Sequence, residues 1–188
     1  MPPSLDAVDW PVRTERLVLR RLTDGDLPTI FAYRSLPVVA EWIGGKATDV
    51  ESLAERFGDG GTVVIVEHEG RLIGDLMVRI QDAYAQREVA EKAVGVEAEL
   101  GWTFDPAHHG RGLATEAIGA LIGVCFDELG LHRVAASCFS ANEPSWRLME
   151  RVGMRREAHH LANSLHRDHG WQDEYVYAVR ADEWPRQE

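Results

Sequence analysis

The sequence predicts a mixed α/β fold: one mixed sheet with helices on both of its faces. Two observations lead to this prediction. Runs of β-branched residues alternate with segments of helical periodicity along the whole chain, and no repeat or linker-like change of composition divides its 188 residues. A chain of this length can bury a single core. We predict one domain at 13–184, between short tails at 1–12 and 185–188.

The N-terminal half is predicted to contain strands and helices in the order β-α-α-β-β. The first strand alternates apolar and basic residues, and the last two strands are joined by a tight turn at Glu69–Gly70, as in a hairpin. The elements are a strand at 16–22, a helix capped by Thr23 or Asp24, a helix at 49–57 ended by Gly58, and strands at 62–67 and 71–80.

The C-terminal half begins with a segment that interrupts the series of predicted strands and helices. Residues 82–95 lack strand chemistry and have only moderate helix propensity, so we interpret them as an insertion or lid loop. Regular elements then resume: a strand at 96–104, an almost wholly apolar helix that ends near Leu129 with Gly130 as its cap, a strand at 132–139, a helix at 142–152, one further strand, and a last strand at 174–180.

The junction after residue 104 is an anion-binding pattern. A strand, a glycine-containing turn and a helix start place unpaired backbone N–H groups and a positive helix end together. Gly110 and Gly112 would let a phosphate approach the backbone, and Arg111 could add a charged contact. The Gly-Lys-Ser/Thr ending of a Walker loop is absent, and so is the G-x-G-x-x-G dinucleotide fingerprint. A purely structural turn remains the alternative at this point.

Composition excludes several classes. The formal net charge of −11 argues against a nucleic-acid partner, because phosphate backbones bind clustered Lys and Arg. No apolar run reaches the ~18 residues of a membrane span, and the N terminus lacks a signal peptide's basic and apolar regions. Cys125 and Cys138 lie in apolar runs and are expected to be buried thiols. We therefore expect a cytoplasmic protein with neither a nucleic-acid nor a membrane partner.

Several motifs together resemble the GNAT superfamily of N-acetyltransferases. The run Glu99-Leu-Gly-Trp, then Asp105-Pro106, then His-Gly-Arg-Gly-Leu-Ala-Thr-Glu-Ala resembles that family's coenzyme A motif, although His109 replaces its usual Gln or Arg. The opening Arg13-Thr-Glu-Arg, the pair Asn142 and Ser145, and the ending at Glu183-Trp184 are similar to the branch of the RimJ and RimL ribosomal-protein N-terminal acetyltransferases.

The resemblance implies a mostly antiparallel, twisted sheet that splays apart at the coenzyme A site, and acetyl-CoA as cosubstrate without a metal. On the strand and turn, the implied coenzyme-binding residues are Trp102, Thr103, Phe104, His109, Gly110, Arg111, Gly112, Ala114 and Thr115. Asn142 and Ser145 complete the set, as groups that position the pantetheine or approach its sulfur. The alternative for Asn142 is a plain N-cap of the helix that holds Pro144.

The family chemistry is direct attack of an amine on the thioester in a ternary complex. Glu99 is the candidate general base, because a partly buried carboxylate on the strand entering the site suits that task. Glu97 lies on the same face and could share it, and both could instead be solvated strand carboxylates. Backbone N–H groups near Gly101–Trp102 are implied to polarise the carbonyl. Met149 replaces a proton-donating tyrosine of the family, so Ser145 or water is the fallback acid.

The eight histidines suggest a metal site only weakly. None forms an i, i+4 pair on a helix beside an acidic partner, and His166 and His169 lie in a loop-like stretch. We expect surface or groove histidines and no metal.

The acceptor and the function class stay open. Loop 82–95 leads into the strand of Glu97 and Glu99 and could border the acceptor groove, as a lid or a homodimer contact, with acidic residues favouring cationic amines. It could equally be a mobile surface loop. The rivals of an acetyl-CoA-dependent N-acetyltransferase are an enzyme with another donor such as succinyl-CoA or an antibiotic-type amine, and a non-catalytic coenzyme A-binding module.

Overall fold

Strands and helices alternate along residues 3–58 and 60–185, which are the residues that the computed structural model describes. The strands are β1 (Val12–Arg13), β2 (Leu17–Arg21), β3 (Val63–His68), β4 (Arg71–Gln81), β5 (Glu97–Phe104), β6 (Arg133–Phe139), β7 (Arg155–His166) and β8 (Gly170–Arg180). The α-helices are α1 (Leu27–Arg34), α2 (Pro37–Ala40), α3 (Val50–Phe57), α4 (Leu113–Gly123) and α5 (Glu143–Arg151). The predicted mixed α/β class is confirmed: eight strands form a mostly antiparallel sheet.

The chain divides into two compact units. The first unit comprises the described residues of Ser4–Arg79 and of Gly101–Leu121, and the second comprises Ile80–Leu100 and the described residues from Ile122 onward. Strand β5 contributes its C-terminal half to the first unit and its N-terminal half to the second. The strands of the sheet lie in the order β1-β2-β3-β4-β5-β6-β8-β7. The first unit contains β1, β2, β3, most of β4 and the C-terminal half of β5, and the second contains the rest of β5 with β6, β8 and β7.

In the first unit, β1 to β4 form antiparallel neighbours and the end of β5 lies beside β4. The N–H of Asp105 donates to the Ile73 carbonyl at 2.9 Å. A Cβ at Gly74 would lie 2.5 Å from the Phe104 ring and 2.8 Å from the Thr103 carbonyl oxygen, so only glycine fits there. The ring of Phe104 is thereby seated over the β4 backbone.

The core of the first unit packs α1 and α3 against β3. Its members are buried apolar side chains and one tyrosine: Leu27, Ile30, Tyr33, Leu53, Val63 and Ile65. Asp75 is 2% exposed on β4 and accepts hydrogen bonds from the Tyr33 hydroxyl and the Arg34 guanidinium. This pairing compensates the cost of burying a carboxylate.

In the second unit, β5 and β6 form the parallel ladder. Its paired residues are Glu97–Glu99 with Arg133–Ala135. Strand β8 then pairs antiparallel with β6 on one side and with β7 on the other. The segment 82–95 is irregular apart from a 3₁₀ turn at Arg87–Ala93, and the Asp82 carboxylate closes its neck by accepting the Gly95 N–H at 2.8 Å.

Two local predictions need revision. Strand β8 begins at Gly170 rather than near 174, and His166 ends β7 as a buried side chain, so its assignment to a surface loop was wrong. Nearly every residue of β7 is exposed, which removes the alternating apolar pattern that identifies a strand. The long apolar helix ends at Gly123 as an α-helix and continues as a π turn over Val124–Glu128 before Gly130.

The predicted tails contain some ordered structure. Residues 5–7 form a 3₁₀ turn, and Leu5 and Val8 are buried. Residues 186–188 lie outside the described residues. No helix within the described ranges is long and apolar enough to cross a membrane.

Candidate active site

The turn between β5 and α4 has the backbone geometry of an anion site. A 3₁₀ turn at Pro106–His108 is capped by the Asp105 carboxylate, which accepts the Ala107 N–H at 2.9 Å. Gly110 and Gly112 follow with φ angles of 74° and 75°, a region that other residues rarely adopt. Helix α4 then starts at Leu113, whose buried side chain fixes the helix position.

This turn meets the requirements of a phosphate group. The first N–H groups of α4, including those of Leu113 and Ala114, have no acceptor within the helix. A Cβ built on Gly110 meets nothing within 4 Å, so the space beside the backbone is open. The positive helix end adds to the attraction for an anion. The chemistry of the turn thus fits the pyrophosphate of coenzyme A.

A side-chain clamp ties the first turn of α4 to the start of β2. Glu116 accepts hydrogen bonds from the Thr14 hydroxyl, from the Arg16 N–H at 2.9 Å and from the Arg16 guanidinium at 2.6 Å. Burial alone would raise the pKa of Glu116, but these hydrogen bonds together hold its pKa below the usual value. Arg16 also donates to the Arg111 carbonyl oxygen at 2.9 Å, inside the glycine turn.

The Arg111 side chain is held by a buried histidine. His68 is 7% exposed at the end of β3, and its Nε2 lies 3.0 Å from an Arg111 guanidinium nitrogen. Its Nδ1 lies 3.0 Å from the Arg16 carbonyl oxygen. The turn is therefore braced through both a main-chain carbonyl and a side chain.

The remaining predicted turn residues lie in the same unit. Thr103 and Phe104 are buried at the end of β5, and Trp102 is half-buried. His109 is exposed, with Nε2 3.3 Å from the Phe104 carbonyl oxygen. Thr115 and Ala114 occupy the first turn of α4. The structure thus brings together the predicted set from Trp102 to Thr115.

The two candidate bases lie on strand β5. Glu97 and Glu99 are both half-buried and, two residues apart on β5, lie on the same face. Glu97 pairs with the Arg133 guanidinium at 3.3 Å, and Arg133 also pairs with Glu157 at 2.7 Å. The ion pair holds Glu97 to Arg133, and Glu99 also has an interaction partner in the structure.

Asn142 and Ser145 lie with Glu99 in the second unit. Asn142 is at the N-cap position of α5, as the alternative predicted, but its side chain makes no capping hydrogen bond. Burial raises the pKa of the Cys138 thiol, and the neighbouring Ser145 side chain opposes that rise. Met149 is fully buried and has no proton to donate.

Sequence reasoning missed the supports of the turn. Thr14, Arg16 and Glu116 stand inside the motifs that carried the resemblance, but no spacing in the sequence connects the first two with Glu116. His68 gave no signal, because a single histidine at the end of a β-branched strand has no informative spacing. Nor were all histidines on the surface: His68 and His166 are buried. Within the described part of the chain, no group of three or more potential metal ligands occurs.

Comparisons with known proteins identify the family. The acetyltransferase (GNAT) domain model matches residues 16–155. The chain is 32% identical over 180 residues to the uncharacterized N-acetyltransferase YnaD of Bacillus subtilis, covering 92% of this chain and 98% of that protein. The chain therefore belongs to the GNAT acetyltransferase family.

Solved structures share the fold. A GNAT-family acetyltransferase from Bacillus anthracis superposes with a TM-score of 0.77 at 30% identity, covering 92% of this chain and 99% of that one. Mycobacterium smegmatis RimJ, in complex with CoA-disulfide, gives a TM-score of 0.76 at 22% identity, covering 100% and 93%. The second likeness extends to the fold alone.

Proposed function

We propose that this protein transfers an acetyl group from acetyl-CoA to an amine, by direct attack within a ternary complex. The observation that carries the proposal is the braced glycine turn at the start of α4, whose N–H groups, helix end and Arg111 suit a pyrophosphate. The edge of β5 in the first unit, Gly101–Phe104, would pair with the pantetheine arm as an added strand does.

Direct attack is supported by the state of the two cysteines. Burial raises the pKa of Cys125 to about 12 and that of Cys138 to about 11. Neither is a thiolate near neutral pH, and the thiolate is the nucleophilic form. An acyl-cysteine intermediate is therefore disfavoured. The amine nitrogen instead forms its bond to the thioester carbon while the carbon–sulfur bond breaks, and coenzyme A leaves as a thiolate.

Glu99 is proposed as the group that takes the proton lost by the amine. Glu99 lies two residues closer than Glu97 to Gly101 and Trp102 along β5. A backbone N–H group at one of those two positions would polarise the carbonyl oxygen as charge develops on it. Base and oxyanion donor then lie on one continuous strand.

Ser145 is proposed as the proton source for the leaving thiolate. The serine hydroxyl carries a proton that it can donate, and the neighbouring Cys138 thiol, whose pKa burial raises, stays protonated near neutral pH. The serine regains a proton from water. Asn142, whose side chain does not cap α5, would position the pantetheine amides.

The acceptor is proposed to be an amine that is cationic when free in solution. It is a peptide or protein N-terminal α-amine, or a small polyamine. The chain carries a net charge of −11, and Glu88 and Glu91 are exposed on segment 82–95. Acidic surfaces concentrate cations near them.

The RimJ/RimL-like branch is proposed on the motifs at Arg13–Arg16 and Asn142–Ser145 and on the shared fold. The cytoplasm, where acetyl-CoA is available, is the proposed location.

The experiment is a screen of purified protein with acetyl-CoA against polyamines, basic and neutral peptides, and aminoglycosides. Free thiol release and an acetyl-sized mass increase on one amine class are expected. Thiol release from succinyl-CoA but not from acetyl-CoA would show that the donor is succinyl-CoA. Tight coenzyme A binding without release from any donor or acceptor would favour a non-catalytic binding module and contradict the proposal.

A further inference from the structure

His68 uses both ring nitrogens inside the first unit. Nδ1 lies 3.0 Å from the Arg16 carbonyl oxygen, and Nε2 lies 3.0 Å from an Arg111 guanidinium nitrogen. A carbonyl oxygen can only accept a hydrogen bond, and a guanidinium can only donate. The hydrogen bonds therefore fix one tautomer: Nδ1 carries the proton and Nε2 presents its lone pair to Arg111. The imidazole is neutral in this arrangement.

The two arginines at the turn differ in charge compensation. Arg16 forms an ion pair with Glu116 at 2.6 Å, so its charge is neutralised within the clamp. Arg111 is held by a neutral imidazole, and among the described residues no carboxylate pairs with its guanidinium. Glu69 is the nearest acid to His68, with 3.9 Å between its carboxylate and Nε2 and an exposed side chain. The uncompensated cation at the glycine turn is therefore Arg111.

We propose that His68 is a positioning residue for acetyl-CoA, which holds the Arg111 guanidinium at the glycine turn so that it meets a phosphate of the coenzyme. The inference rests on the proposed function. A surface arginine is otherwise free to adopt many rotamers, and ordering it on binding costs affinity. A buried neutral acceptor restricts the side chain without cancelling its charge, which a carboxylate at the same place would do.

The test is a double-mutant cycle on His68→Leu and Arg111→Met, with the Kd of coenzyme A measured by calorimetry. Pantetheine, which lacks every phosphate, serves as the comparison ligand. His68→Gln restores an acceptor near the Nε2 position. His166→Leu is the matched control, since His166 is also a buried strand histidine whose Nδ1 accepts backbone N–H groups, in the second unit.

The expected result is that His68→Leu weakens coenzyme A binding roughly five- to tenfold, changes pantetheine binding little, and has no further effect once Arg111 is Met. His68→Gln should recover much of the affinity. In His68→Leu, KM for acetyl-CoA should rise while kcat stays within about twofold. His166→Leu should lower the melting temperature and leave the Kd unchanged.

Additive losses in the cycle, or equal losses for coenzyme A and pantetheine, would overturn the inference. If His68→Leu does not fold, the variants Arg111→Met and His68→Gln decide. Unchanged coenzyme A affinity in Arg111→Met overturns the inference. Weakened affinity in Arg111→Met, together with an affinity of His68→Gln close to that of the wild type, supports it. Failure of the wild-type protein to bind coenzyme A at all would instead refute the proposed function.

Discussion

Two irregular segments border strand β5, and they are built in opposite ways. Segment 82–95 precedes the strand and is closed only at its neck, by hydrogen bonds from Gly95 to Asp82 and from Ala83 to Ala93, each 2.8 Å long. No side chain from 82 to 94 is buried. The turn at 105–112 follows the strand, and the side chains of Arg16, just before β2, and His68, at the end of β3, brace it.

The difference indicates which segment is prepared for a ligand before the ligand arrives. A turn with its backbone fixed from outside binds an anion without first having to become ordered, so less affinity is lost. A loop held at its neck can change shape with little loss of stability, which suits either a variable acceptor or no ligand at all. We therefore expect changes in the turn to have large effects and changes in the loop small ones.

The largest effect is expected from Gly112→Val. A β-branched residue at φ 75° is strained, and its side chain would occupy the approach of the phosphate. Coenzyme A affinity should fall more than about 100-fold, and the rise in melting temperature with ligand should vanish. Gly170→Val, at φ 70° with open space around it, carries a similar strain and should keep the ligand-induced shift. Equal shifts in both variants would place the site elsewhere.

The strand between the two segments is tested by Glu99→Gln. Loss of the general base should lower kcat about 10²-fold near neutral pH and leave the Kd of coenzyme A nearly unchanged. Glu97→Gln should lower stability modestly through its ion pair with Arg133 and keep most of the activity. Rate and binding are read from steady-state kinetics and calorimetry. The reverse pattern would assign the chemistry to Glu97.

A smaller effect is expected where each segment is tied. Glu116→Gln weakens the clamp on the turn and should raise KM for acetyl-CoA roughly three- to tenfold, whereas Asp82→Asn at the loop neck should leave KM unchanged. The free energy of unfolding, measured with urea, should also depend on pH through Glu116. The folded protein lowers the pKa of Glu116, so ionised Glu116 stabilises it above about pH 4.5, and that contribution disappears as pH falls through the lowered value.

The stability difference between wild type and Glu116→Gln should accordingly be full at neutral pH and narrow below about pH 4. A difference that grows on acidification would show that Glu116 is not held as a carboxylate. Similar KM increases in Glu116→Gln and Asp82→Asn would remove the distinction between the turn and the loop.

The smallest effect is expected from shortening the loop to a Gly-Gly turn between Asp82 and Gly95. Turnover of cationic amines should fall by about threefold or less relative to neutral amines, chiefly at low ionic strength, because steering is screened by salt. Light scattering on the same variant separates a lid from a homodimer contact. Unchanged acceptor ranking, salt dependence and molar mass would leave the loop without a part in recognition.

The sequence predicted the elements whose apolar pattern or turn residues are local. β2, the β3–β4 hairpin, α3 with its Gly58 end and the glycine turn before α4 all lie within a few residues of their expected places. It did not predict the extent of β7 or the start of β8, because an exposed hairpin has no alternating burial.

The same distinction applies to the site. Gly110, Gly112 and the helix start are contiguous, so a motif contains them. The Thr14, Arg16 and His68 supports come from distant positions, and no spacing in one sequence connects them with residue 111 or 116. Only the folded chain shows that the turn is braced, and that Glu97 is held by Arg133.

The central claim, that the braced turn holds the phosphates of acetyl-CoA, is tested most directly by amide hydrogen exchange with and without coenzyme A. We expect slower exchange in peptides covering 109–115, where Gly110, Gly112 and Ala114 would donate to phosphate, and unchanged exchange in peptides covering 83–94. Unchanged exchange at 109–115 under saturating coenzyme A would contradict the account.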